Sequence, residues 1–322
     1  QQGTAEEQLR NVERACRQIV EMIRAGDRVV VTHGNGPQVG NILLQQEALA
    51  ARLPPLPLDA CGAESQGLIG YLIQNRLGNM LREAGFVMPV VTLVTQVRVD
   101  RDDPAFQEPT KPVGPFYSAE QARLLQQEKG WVLREDAGRG WRRLVPSPEP
   151  LEIIEAEAIR TLVDAGAVVV CSGGGGVPVC RRQDGRLEGC EAVIDKDLAA
   201  ERLVAGIGAD LLLILTDVPK VYLWYRQENQ VALERLDAAE ARRYLAEGHF
   251  PRGSMGCKVL ALARFAERTG HWGAVASLDD GARAVLGLAG TRVEPSASST
   301  GSAPAAGDEP QAAVSPPSQA AS

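Results

Sequence analysis

Residues 27–41 read DRVVVTHGNGPQVGN. Three valines, Val29 to Val31, stop at Thr32-His33 and give way to Gly34 and Gly36, with Pro37 behind them. This pattern predicts a buried strand that meets a helix through a loop almost free of side chains. In open parallel sheets, ligands bind beyond the carboxyl ends of the strands. Glycines there let backbone N–H groups approach an anion, and the following helix N-terminus adds a favourable dipole. The spacing is neither the G-x-G-x-x-G of a dinucleotide fold nor the G-K-[ST] of a P-loop. A second such loop, Ser172-Gly173-Gly174-Gly175-Gly176, follows the apolar run AVVVC. One loop alone reads equally well as a tight turn. Two on one sheet favour a phosphate-type ligand.

Moving outward, helical spacing of apolar residues covers 6–25, 64–84, 151–165, the stretch from Asp197, and 257–269. Strand-like runs lie between them, at 28–31, 87–97, 167–176, 211–218 and 273–278. Continuous Val/Leu/Ile strands alternating with amphipathic helices predict an α/β fold, a mostly parallel sheet covered on both faces. Residues 98–148 break the rhythm, being rich in Pro, Gly, Trp and Arg. They read as a compact excursion with no long periodic element, anchored by Phe116, Tyr117, Trp131 and Trp141 and placed to act as a lid. From Glu294 onward there is no aromatic residue, Leu or Ile. Residues 294–322 are therefore predicted to be a disordered tail behind one folded unit at 1–293.

Composition narrows the function. Of 322 residues, 44% are hydrophobic and 23% charged, as in an ordinary globular protein, and the net charge of −7 offers no basic footprint for nucleic acid or anionic membrane. No apolar run approaches the roughly 18–20 residues that span a bilayer, and QQGTAEEQLRNVERA lacks the features of a signal peptide. A cytoplasmic location is the expectation. Six cysteines form no C-x-x-C pair and the three histidines are scattered, so no zinc pattern exists. Cys180 and Cys190 bracket a hairpin with Asp184-Gly185 as its turn. Two small buried hydrophobes is the favoured reading there, with a disulfide as the other.

Three lysines stand out. Lys196 lies between Asp195 and Asp197 at the start of a helix, which also fits a solvated capping cluster. Lys258 follows the flexible Gly253-Ser254-Met255-Gly256-Cys257 and falls in the first turn of the next helix. A cation is unfavourable there, so a nearby anion would explain it. Lys111 sits in PTKPVGP, stiffened by prolines. Phosphoryl transfer needs positive charge around the moving group and little covalent chemistry, and three lysines on such loops supply it.

Taken in order, VTHGNGPQVGNILLQQ, GAESQGLIGYLIQNRL, PTKPVGPFY, SGGGGVPV, LILTDV and GHFPRGSMGCKV closely resemble the carbamate kinases of the amino-acid-kinase fold, over roughly residues 6–293. The resemblance implies an αβα sandwich around a mostly parallel eight-stranded sheet with a protruding lid subdomain, working as a homodimer. It also implies ATP-Mg2+ plus carbamate in equilibrium with ADP plus carbamoyl phosphate, run toward ATP in arginine catabolism. By the same resemblance, Lys111 is the lid lysine, and Lys196 and Lys258 contact the transferring group and the nucleotide phosphates. Asp195 and Asp197 orient those lysines. Gly34, Asn35 and Gly36 form the carbamoyl-side loop, with Gly174 and Gly175 as a second anion contact. Asp217, Tyr225 and Met255 bind nucleotide, Tyr222 lying close to Tyr225. A metal site built from protein ligands is not implied.

This sequence departs from the family pattern in several places. Cys257 stands where proline is usual, Cys180 and Cys190 replace ordinary hydrophobes, and Pro219-Lys220 replaces Asn/Asp-Gly. The family also opens on a strand and a G-G-N loop, which are expected to precede Gln1. Residues 1–322 alone are accordingly expected to be poorly soluble, with little or no activity. Two other readings stay open: a non-catalytic protein that binds nucleotide or carbamoyl phosphate, and another amino-acid kinase.

Overall fold

The computed structural model describes residues 4–136, 138–250 and 253–296. Helix α1 (Ala5–Arg24) starts where the Thr4 hydroxyl accepts the Glu7 N–H at 3.2 Å, and it buries Cys16, Ile19, Val20 and Ile23. The chain continues through β1 (Val30–Val31), α2 (Gly36–Leu49), α3 (Leu58–Glu83), β2 (Val90–Thr92) and β3 (Gln96–Val99). Next come β4 (Lys111–Tyr117), α4 (Ala119–Lys129), β5 (Val132–Glu135) and β6 (Trp141–Val145). The main body resumes with β7 (Glu152–Ile153), α5 (Ala156–Asp164), β8 (Val168–Val170), β9 (Val177–Arg181), β10 (Leu187–Gly189) and α6 (Lys196–Ile207). The last part holds β11 (Leu213–Thr216), β12 (Val221–Leu223), β13 (Val231–Leu233), β14 (Arg235–Asp237), α7 (Ala238–Ala246), α8 (Met255–Thr269), β15 (Gly273–Ser277), α9 (Gly281–Val285) and β16 (Thr291–Glu294).

β1 and β2 flank β8 in parallel, with Val30 and Val91 both level with Val169. Their carboxyl ends therefore emerge together, at Thr32-His33, Leu93 to Thr95, and Cys171-Ser172. One face of this sheet packs Val168 and Val170 against Leu77 and Leu81 of α3 and Val20 of α1. The other buries Val169 with Ile159 of α5 and Leu203 of α6. The layers are thus αβα. A second sheet runs β11-β15-β16-β14, with β11 and β15 parallel, and packs Ile214 and Val275 on Leu262 and Phe265 of α8.

Several expectations change in detail. Among the described residues the ladders are separate two-, three- and four-stranded sheets, not one continuous eight-stranded sheet. The strand expected over 87–97 is broken between β2 and β3, because Gln66 of α3 captures Thr95. Gln66 Nε2 donates to Thr95 O at 3.2 Å and Gln66 Oε1 accepts the Thr95 N–H at 2.8 Å. The helix expected at 64–84 begins earlier, at Leu58, and the one expected at 151–165 is preceded by strand β7.

Within 98–148 lies a regular helix that periodicity missed. α4 carries a capping box between Ser118 and Gln121 and ends on left-handed Gly130. It covers the three-stranded antiparallel sheet β4-β6-β5, over a small core of Tyr117, Ala122 and Leu133 with Trp131 and Trp141. Phe116 does not join that core. It is exposed, with the guanidinium groups of Arg139 and Arg142 over its ring. At the other end, Glu294 belongs to β16, level with Asp237 and 3.0 Å from Arg292, so the folded unit runs past 293. Residues 297–322 of the expected tail lie outside the described residues. Cys180 and Cys190 are joined rather than separate hydrophobes, with Cα atoms 6.4 Å apart. The antiparallel register sets Cys180 opposite Glu188, which leaves Cys190 two residues on and on the same face.

Candidate active site

The two glycine loops meet at the carboxyl end of the first sheet. The Gly173–Gly175 turn is left-handed at Ser172, Gly174, Gly175 and Gly176. Side chains would collide there: a Cβ on Gly173 would stand 2.2 Å from His33 Nε2, and one on Gly174 2.1 Å from Asn35 Nδ2. These glycines exist for clearance. The N–H groups of Gly174 and Gly175 are already used, Gly174 donating to His33 O at 2.7 Å and Gly175 to Ser172 O at 3.1 Å. Both bonds point back into the loop pair, toward the end of β1 and the start of the second glycine loop. The open donors are across the loop. The backbone N–H groups of Gly34, Asn35 and Gly36 donate to no group among the described residues, and they lead into the N-terminus of α2, which has no side-chain cap.

Over this floor stand the cations. The Lys196 stem runs beside Gly34, its Cδ 3.6 Å from where a Cβ would be. Its ammonium is 3.6 Å from Asp197 Oδ1, and the side chain is 40% exposed. Lys258 is held far more tightly, with Nζ 2.7 Å from Asp197 Oδ2 and both side chains buried. Lys111 reaches over from β4 to Asp195 Oδ2 at 2.9 Å. Asp195 also caps α6 by accepting the N–H groups of Asp197 and Leu198. Burial alone would raise the Asp195 pKa. The Lys111 charge and hydrogen bond, the Asp197 N–H and the Cys257 thiol outweigh it and hold this carboxyl below the usual range. Burial, with Asp195 beside it, pushes the Cys257 thiol up to about 11, so this sulfur stays protonated. Three ammonium groups share two carboxylates, and Lys196 carries the surplus positive charge.

His33 is neutral at physiological pH. Burial lowers its pKa most and the Lys196 charge lowers it further, against the pull of its contact with Gly34 O. Three further expected residues are Asp217, Tyr225 and Met255, the last one helical turn before Lys258 on α8. Asp217 follows β11 and is exposed, and Met255 opens α8 and packs against the second core. Tyr225 is 41% exposed and tilts on Tyr222 with ring centroids 5.7 Å apart. No hydrogen bond joins these three to Lys111, Lys196 or Lys258 among the described residues. Among the described residues, no group of three acidic, histidine or cysteine side chains is placed to hold a metal ion.

A model of the amino acid kinase family matches residues 3–277. The chain is also 52% identical to a carbamate kinase of Pyrococcus furiosus over 297 residues, 92% of this chain and 94% of that protein. The chain belongs to the amino acid kinase family, with the carbamate kinases. A carbamate kinase 2 of Enterococcus faecalis is 49% identical over 263 residues, covering 81% of this chain and 84% of that one. Among solved structures, the carbamate kinase of Giardia lamblia bound to AMP-PNP superposes with a TM-score of 0.85 at 44% identity, over 91% of this chain and 93% of that one.

Three uncharged residues hold the site together through contacts that the sequence does not announce. Ser65 of α3 bonds Asn35 of the first loop, its neighbour Gln66 bonds Thr95, whose hydroxyl accepts the Ser172 N–H of the second, and Tyr117 ties β4 to α2 through Glu47 at 2.8 Å. Their signal was present in the SQ of GAESQG and the final Y of PVGPFY. A serine and a glutamine simply carry no charge to draw attention, and Tyr117 reads from the sequence as a core aromatic without its tie to Glu47.

Proposed function

We propose that this chain is a carbamate kinase, moving a phosphoryl group between ATP and carbamate to interconvert them with ADP and carbamoyl phosphate. The observation that carries this reading is the loosely paired Lys196 ammonium above a floor of open N–H donors at Gly34, Asn35 and Gly36. Such a site attracts an anion and stabilises charge without offering a nucleophile of its own. In the ATP-forming direction a β-phosphate oxygen of ADP attacks the phosphorus of carbamoyl phosphate in line. The P–O bond to the carbamoyl group breaks and carbamate leaves with the electron pair. Lys196 and Lys258 balance charge on the moving group, Lys111 closes on it from the lid, and Asp195 and Asp197 hold the lysines in place. Gly174 and Gly175 make room for Asn35 and for the backbone at Ile194. Asp217, Tyr225 and Met255 line the nucleotide side. Magnesium arrives as part of the nucleotide substrate, bound mainly by phosphate oxygens and water, because both site carboxylates are engaged by lysines.

The same reading extends to a homodimer in the cytoplasm that makes ATP during arginine breakdown, with residues 98–148 as a lid subdomain. No described helix is long and apolar enough to cross a membrane. The test is ATP formation from ADP and carbamoyl phosphate by the full-length protein, and its loss in Lys196→Ala. Nucleotide binding without turnover would show instead a non-catalytic binding protein.

A further inference from the structure

A carbamoyl group differs from an acetyl group of the same shape in one respect: NH2 replaces CH3 and brings hydrogen-bond donors. A floor made of backbone N–H groups cannot sense that difference, since donors do not pair with donors. An acceptor is required, and Asn35 can supply one only if its amide faces the correct way.

The structure fixes that orientation through Ser65. The Asn35 Nδ2 group donates to Ser65 Oγ at 2.8 Å. Ser65 Oγ in turn donates its single proton to Gly62 O, three residues back in α3, at 2.6 Å. With that proton committed, Ser65 faces Asn35 as an acceptor. A flipped amide would set two acceptors against each other. Ser65 is wholly buried, so water cannot substitute for it. Its neighbour Gln66 clamps α3 to Thr95, and Thr95 Oγ1 accepts the N–H of Ser172 at the second glycine loop. The reference frame is therefore rigid on both sides. The Asn35 amide lies on Gly174 at the border of the floor, and its Oδ1 accepts from no group among the described residues.

We propose that Ser65 is a positioning residue for substrate discrimination. It locks the Asn35 amide so that Oδ1 accepts an N–H of the carbamoyl group, and carbamoyl phosphate is thereby preferred over acyl phosphates that lack the donor. This rests on the carbamate kinase reading above.

The experiment compares kcat/KM for carbamoyl phosphate and for acetyl phosphate, each with ADP, in the full-length protein. Ser65→Ala should lower the carbamoyl-to-acetyl ratio by about 10-fold, the size expected for losing one hydrogen bond, mainly through a higher KM for carbamoyl phosphate. Asn35→Ala should do the same, and Ser65→Ala should add nothing in the Asn35→Ala background. ADP affinity and the unfolding temperature serve as controls for folding, and Ser65→Cys replaces Ser65→Ala should the latter not fold. An unchanged ratio in a folded, active Ser65 variant overturns the proposal. So does an undiminished effect of Ser65→Ala once Asn35 is gone. A wild-type protein that does not turn over carbamoyl phosphate at all overturns the underlying function instead, which the first measurement reveals.

Discussion

Lys258 Nζ lies 2.7 Å from Asp197 Oδ2, with both side chains at or below 10% exposure, and the pair joins the first turn of α8 to the first turn of α6. Two charges so placed depend on each other, because neither has water to fall back on. Removing one partner of a buried pair costs about 3–5 kcal/mol, far more than a surface pair is worth. Lys258→Met should therefore lower stability by an amount in that range as well as abolish turnover. Chemical denaturation checks it, and a midpoint within experimental error of the wild type would show that Asp197 is not relying on this lysine.

Lys196 should behave in the opposite way. Its ammonium is only loosely tied, 3.6 Å from Asp197, and the side chain is 40% exposed. Lys196→Ala is expected to leave the unfolding temperature nearly unchanged while reducing kcat on the order of 10²–10³-fold. A large stability loss would mean that its role is structural.

The β4-β6-β5 sheet should loosen when Tyr117 loses its hydroxyl. Burial, then the bond to Glu47, raises the phenol pKa well above its ordinary value, so Tyr117 remains a donor to the carboxylate across the working pH range. A hydrogen bond to a charged group contributes about 1.5–3 kcal/mol. In Tyr117→Phe, amide hydrogen exchange should accelerate by roughly 10–100-fold in 111–145, with little change in the second sheet. Equal protection in both proteins would dismiss the latch.

Acid should weaken the site in two stages. His33 has a lowered pKa in the fold, so its contribution is complete above the unfolded value of about 6.5 and is lost as pH falls through the folded value. Asp195, also lowered, contributes fully above about 3.9 and loses its contribution as pH drops through its folded value. Stability measured against pH should fall gently below about 6.5 and more steeply below about 3.9. His33→Gln should flatten the first stage alone, and Asp195→Asn the second. Superimposable curves for all three proteins would contradict both assignments.

The fold was legible where chemistry leaves periodic marks. Val29–Val31, Ala167–Cys171 and the two glycine loops announced strand ends, since a parallel sheet demands continuous apolar strands and bare turns. The lysines were legible because a cation at a helix start is locally unfavourable and asks for a reason. What stayed hidden depended on contacts across sequence distance. Thr95 breaks a strand that reads as continuous because a glutamine 29 residues away seizes its backbone. Gly174 and Gly175 looked like anion donors, yet their N–H groups turn inward to His33 and Ser172. Helix α4 was missed for a different reason. Its signals were local, a Ser-x-x-Gln box and a terminal glycine, but they were outweighed by the Pro, Trp and Arg around them.

The cluster of charges also has a place in time. Lys111 and Asp195 are 84 residues apart in the chain and Lys258 and Asp197 are 61 apart, so each contact closes a long loop. Helices such as α1 and α3 need only neighbours, whereas contacts of high sequence separation are entropically costly and form slowly. During refolding, helical circular dichroism should therefore recover first, and the lysines should converge on their aspartates only as the last loops close. A nascent chain would then acquire its shape before it acquires its charge pattern, and would be blind to nucleotide until late in its synthesis, when Lys258 has left the ribosome.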